Sequence, residues 1–190
     1  VFRPGLWDDR VDLPDGLPLA VTEQYSPSGY FSEWGGGDAW GTILESASPG
    51  ACPSRVDLPL GDCMAVTYTR DPDGDGAGPA WSGLYWQSPE DNWGPGGGFA
   101  IPVGAAQVSF WAWGATGTEN VEFKAGCGGC GDAFELTTGD IALTTSPARY
   151  TLDLLGQPAY GEVVGAFAWA VNSAPIGAPW TFYVDDVVWQ

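Results

Sequence analysis

The chain has no histidine, and only 6 of its 190 residues are basic. Without an imidazole, Ser-His-Asp and Cys-His catalysis are excluded, as are histidine-ligated catalytic metals. Against 24 acidic residues the formal net charge is -18, so a phosphate backbone or an anionic membrane surface is repelled, and nucleic acid is not expected as a partner. No apolar run approaches the ~18 residues a membrane span requires. The chain opens at Val1 without a charged stretch leading into an apolar one, and reads as a mature, soluble protein. Long helices are scarce too, because 29 glycines and 16 prolines interrupt almost every segment.

Only four cysteines are present, in two close pairs: Cys52 with Cys63, and Cys127 with Cys130 in "AGCGGCGD". Two disulfides are expected, and with them an oxidising, extracellular setting. A tetrathiolate zinc site would need all four sulfurs to converge from pairs of unequal spacing. A redox role for "CGGC" would require the motif to open a helix after a strand, whereas its neighbours are glycines.

What remains is a pattern of short apolar runs divided by turn residues, the mark of an antiparallel all-β sandwich. Residues 1–18 read as an irregular lead-in or linker end, and 19–190 as one sandwich domain, a size that a single core can serve. The strongest strands are expected at 63–69, 81–87, 106–115, 120–126, 148–155, 163–172 and 180–190. In "QVSFWAWGA" alternation puts Val108, Phe110 and Ala112 on one face and Ser109, Trp111 and Trp113 on the other. Either face can line a core. Eleven tryptophans, however, exceed what one core of this size absorbs with every indole N–H satisfied, so some are expected at the surface.

The stretch "WSGLYWQSPEDNWGPGGG" from Trp81 sets large rings beside Gln, Asn, Glu and Asp. That mixture suits a sugar, whose C–H faces stack on aromatic planes while amides and carboxylates bond its hydroxyls. The runs "LYWQSPEDNWGPG", "VSFWAWGATGTENVEFKAG", "TTSPARYTLDLLG" and the closing "WTFYVDDVVWQ" resemble bacterial carbohydrate-binding modules of the β-jelly-roll type, over roughly residues 19–190. The resemblance implies non-catalytic binding of a neutral polysaccharide, a β-linked glucan, in a cleft on one sheet. It also implies a secreted or cell-surface location beside a catalytic module or a surface anchor, and a structural calcium. Carried onto this chain, it favours Tyr85, Trp86, Gln87, Asn92, Trp93, Trp111 and Trp113, with Glu122 and Lys124 as hydroxyl partners. "CGGC" is not part of the family pattern.

Calcium has two candidate sites. Asp71, Asp73 and Asp75 with Gly76 match the opening of an EF-hand-type loop, although Ser82 stands where its closing glutamate belongs. Asp185 and Asp186 form the second, since one of the two must point inward and a buried carboxylate needs a partner or a metal; the resemblance adds Glu23 to that site. Two other functions stay open. A glycoside hydrolase or lyase would need a carboxylate pair, for which Glu122 and Glu135 are the candidates. A structural or adhesive domain would spend its tryptophans on protein contacts.

Overall fold

The structure is a computed structural model that describes residues 16–33, 43–48, 52, 63–70, 80–94, 96–157 and 160–190. Among the described residues, apart from a one-turn helix α1 (Val21–Gln24) and a 3-10 turn at Gly128–Cys130, the regular elements are strands. The strands are β1 (Leu19–Ala20), β2 (Ser26–Ser32), β3 (Ile43–Ser48), β4 (Cys63–Thr69), β5 (Ser82–Gln87), β6 (Phe99–Ala100) and β7 (Gln107–Gly114). They continue with β8 (Asn120–Ala125), β9 (Leu136–Ala142), β10 (Ala148–Asp153), β11 (Glu162–Val163), β12 (Gly165–Val171) and β13 (Pro179–Trp189). Among the described residues no helix is long and apolar enough to cross a membrane.

Two antiparallel sheets form the sandwich. One runs β10-β7-β13-β4-β3 with β1 alongside β13, the other β2-β5-β12-β8-β9, and β6 pairs with β11 in a small ribbon. The all-β, antiparallel, jelly-roll class expected from the sequence is the class observed. All seven expected strands form, within a residue or two at their ends.

The inner faces follow the alternation of the chain. Val108, Phe110 and Ala112 of β7 meet Phe123 of β8, Phe167 and Trp169 of β12, and Phe182 and Val184 of β13 in one core. Aromatic rings dominate it: Phe110 lies 4.7 Å from Phe123 and 4.9 Å from Phe167 between centroids. The indole N–H of Trp189 is satisfied by the Ala166 carbonyl at 3.2 Å. Strands β2 and β9 were not among the expected ones. Both are sheet edges, and β2 carries Pro27 and a register shift between Pro27 and Gly29, which only an edge strand tolerates.

Both disulfides form with the expected pairing, Cys52–Cys63 and Cys127–Cys130.

Candidate functional site

The outer face of the five-stranded sheet carries the site, and β5 builds its aromatic side. Successive residues of β5 point to opposite faces, so Leu84 and Trp86 enter the core while Gly83, Tyr85 and Gln87 face outward. Trp86 is only 2% exposed and packs 5.4 Å from Phe167. It is a core residue, which corrects its assignment as a sugar platform. Its place is taken by Trp81, which shares the parity of Tyr85 and is 37% exposed, and by Phe31 of β2.

Phe31 stands opposite Gly83 in the register, and its ring lies across that glycine. A Cβ on Gly83 would fall 2.3 Å from the ring and 2.4 Å from the Trp169 carbonyl. Glycine here lets a phenylalanine lie flat on the sheet. Centroid distances of 6.1 Å for Trp81–Phe31, 5.2 Å for Phe31–Tyr85 and 6.2 Å for Tyr85–Trp93 join four rings in a continuous row.

The register then orders what lies across the sheet. One row reads Tyr85, Ala168, Lys124, Thr137, and the next Gly83, Ala170, Glu122, Asp140. Alanines on the central strand keep the floor low, with rings on one flank and charges on the other. The result is a groove of about 390 Å³.

On the polar flank, Val121, Phe123 and Ala125 of β8 are buried, which turns Glu122 and Lys124 outward. The Lys124 ammonium lies 3.1 Å from Glu135 and 3.9 Å from Glu122. Tyr85 donates its hydroxyl hydrogen to Glu135 at 3.2 Å, Thr137 donates to Glu122, and Asn172 donates to Asp140 at 2.9 Å. Burial, reinforced by the Glu135 charge, pushes the Tyr85 phenol well above its ordinary value of 10.0 and keeps it a neutral donor.

Trp93, 45% exposed, is presented by the loop after β5. Asn92 holds that loop from within: its Oδ1 accepts the Gly94 N–H at 3.0 Å and its Nδ2 donates to the carbonyls of Gly96 at 3.1 Å and Ser88 at 3.4 Å. Asn92 is buried and its amide is spent on the backbone, so it shapes the site without facing a ligand. Gln87 is likewise corrected. It is fully buried over Gly29 and donates to Cys130 Sγ at 3.7 Å.

Trp111 and Trp113 are corrected for a different reason. They lie on β7, in the other sheet, on the face turned away from the core. Trp113 is buried, 5.3 Å from Tyr183, and Trp111 is half-buried in register with Arg149 and Asp185. Neither reaches the groove.

Of the nominated residues, the fold therefore brings together Tyr85, Trp93, Glu122 and Lys124. Alternation along β5 marked Trp81 as a neighbour of Tyr85. Nothing in the local sequence of Phe31 signalled its part.

The acidic candidates are more dispersed. Asp185 is buried beside a register shift in β13, and its Oδ1 accepts the N–H of Asp186, whose φ of 47° is left-handed. Both border a second cavity of about 770 Å³ together with Glu23. Among the described residues no group of three or more Asp, Glu or Cys side chains is placed together as a metal cluster. Asp71, Asp73 and Asp75 lie outside the described residues.

The chain is thus an antiparallel β-sandwich with an aromatic groove on one sheet, and solved structures similar to it include carbohydrate-binding modules. One is the family 11 module of the cellulosomal cellulase Lic26A-Cel5E of Clostridium thermocellum, at 14% identity and a TM-score of 0.48, covering 90% of this chain and 92% of that one. Another is the family 30 module of the Clostridium thermocellum cellulase Cel9D-Cel44B, at 12% identity and 0.49, covering 88% and 94%. An exo-β-agarase matches at 10% identity and 0.52 over 90% of this chain and 25% of its own length, a likeness of fold. No family model matches the sequence, and no curated protein does.

Proposed function

We propose that this domain binds a neutral polysaccharide, a β-linked glucan, without turning it over, in the groove of the β2-β5-β12-β8-β9 sheet. The observation that carries the reading is the row Trp81, Phe31, Tyr85, Trp93, set across a floor of alanines from Glu122, Lys124 and Glu135. Pyranose C–H faces stack on the rings, and the ion-paired groups opposite bond the hydroxyls.

Burial of apolar surface contributes about 1–2 kcal/mol per stacked ring. Association takes back several kcal/mol, so a single ring gives almost no binding, and three or four rings must act together with hydrogen bonds from the polar flank to hold an oligosaccharide. The net charge of -18 favours neutral over anionic glycans. Two disulfides support a secreted or surface-bound setting, where tethering to a catalytic module would direct an enzyme to its polymer.

Affinity electrophoresis tests the reading. Gels containing β-glucan should retard the wild type, and Trp81→Ala and Trp93→Ala should migrate with less retardation; equal migration of all three overturns it. Glu122 and Glu135, the pair nominated for hydrolysis, share one ion-pair partner in Lys124, an arrangement suited to holding hydroxyls. Reducing-sugar release abolished in Glu122→Gln would establish an enzyme instead. A structural calcium at Asp71, Asp73 and Asp75 belongs to the same proposal, and chelator should then lower the melting temperature.

A further inference from the structure

The Cys127–Cys130 bridge lies where the aromatic row meets the end of the groove, and three contacts tie it there. Cys127, Cys130, Tyr85, Val164 and Ala168 form a small apolar cluster on the outer face of the sheet, with Phe31 packed against it. Gly165 makes room for it: a Cβ there would fall 2.6 Å from Cys127 Cβ and 2.9 Å from the Tyr85 ring. The Asp132 carboxylate accepts the N–H groups of Cys127 at 2.7 Å, Val164 at 2.7 Å and Gly165 at 3.0 Å, so one side chain fastens the start of the bridged loop to β12.

The far side of the loop meets the segment that carries Trp93. Gly94 follows that tryptophan with φ of 105°, a left-handed conformation, and its backbone rests on Cys130 so closely that a Cβ would lie 2.8 Å from the Cys130 carbonyl oxygen. Gln87, at the end of β5, reaches Cys130 Sγ. The loop thus touches the aromatic row at Tyr85 and buttresses the chain beside Trp93, the ring at the groove's exposed end.

We infer that the bridged Cys127–Cys130 loop, fastened by Asp132, is the positioning element that sets the Trp93 ring edge-on to Tyr85 and so holds the last stacking position of the groove. It acts through Trp93, and Cys127, Cys130 and Asp132 are positioning residues. The inference rests on the groove being the glycan site.

The test is a mutant cycle read by calorimetric titration with cellohexaose. Trp93→Ala, Cys127→Ser/Cys130→Ser and the triple variant are compared with wild type. Loss of one stacking position weakens binding about tenfold. The two-cysteine variant should lose that factor, and the triple variant should bind no more weakly than Trp93→Ala. Wild-type affinity in the two-cysteine variant, or losses that multiply in the triple, overturns the inference.

Gly94→Ala leaves the bridge intact but displaces the same contact, and should show a similar loss; wild-type affinity there also overturns it, even if the cysteine variant does not fold. A wild type that binds no cellohexaose and no gel polysaccharide defeats the glycan reading alone. The positioning role is then decided on the free protein, by the Trp93 indole N–H resonance, assigned through its loss in Trp93→Ala. A shift in the two-cysteine variant or in Gly94→Ala supports the role, and an unmoved resonance overturns it.

Discussion

Replacing Trp86 by alanine removes an indole sealed against Phe167 and should destabilise the fold by about 3–5 kcal/mol in urea denaturation. The same change at Trp93 removes a half-exposed ring and should move the urea midpoint little while weakening glycan retardation. Two tryptophans seven residues apart thus have opposite signatures, one in stability and one in binding. A Trp86 variant with normal stability and lost retardation would place the sugar on the opposite face of β5 and overturn this assignment. Parity along the strand was legible in the sequence, because Trp81, Gly83, Tyr85 and Gln87 alternate with Ser82, Leu84 and Trp86. Which parity faced solvent was not legible. Both sets hold large rings, and the core selects the set that meets Phe167 and Trp169 across the strand pairing.

The turn between β7 and β8 shows how a carboxylate holds an element. Glu119 is fully buried, and its two oxygens accept from the Thr116 N–H and hydroxyl at 2.9 Å each, the Gly117 N–H at 2.8 Å and the Thr118 N–H at 3.0 Å. Gly114 leaves space for it, since a Cβ there would strike Glu119 Oε2. Burial by itself would raise this carboxyl, but the hydrogen bonds outweigh it and hold its pKa below the ordinary 4.5. The stabilisation is therefore complete above 4.5 and is lost as pH falls through the lower folded value. Glu119→Gln should lower stability at neutral pH by about 1–3 kcal/mol. Its stability should also decline less than that of the wild type between neutral and acid pH; parallel declines in urea denaturation at a series of pH values would refute the role. Nothing in the sequence around Glu119 marks it for this role, since the donors that converge on it depend on the turn's backbone. Edge strands β2 and β9 are not legible in the sequence for a related reason: Pro27, Gly29 and Gly139 argue locally against a strand, and only the neighbouring β5 and β8 make those segments pair.

At the scale of the whole molecule, two tyrosines link its halves to alkaline stability. Tyr25 donates to the Val163 carbonyl at 3.1 Å across the chain. Burial first, and the Asp132 charge second, raise it far above 10.0; burial and Glu135 do the same for Tyr85. Unfolded, both would ionise near 10.0, so the fold keeps their full contribution below that pH and loses it progressively above. Ultraviolet titration should show these phenols ionising only with unfolding, and Tyr25→Phe should be less sensitive to pH above 10 than wild type. Equal sensitivity would show that Tyr25 ionises within the folded protein.

From its composition and alternation alone, the sequence determined an all-β chain, two disulfides between near neighbours, a chemistry without histidine, and more indole than a core can hold. Each of these is a local or additive property, readable from spacing, periodicity or count. Only the tertiary structure decided which rings meet. The strand order β2-β5-β12-β8-β9 brings Phe31 beside Tyr85 and sets Glu135 against Lys124, while β7 carries Trp111 and Trp113 away in the other sheet. Sheet membership is set by hydrogen-bonded pairing between segments remote in the chain, and no residue's immediate neighbours encode it.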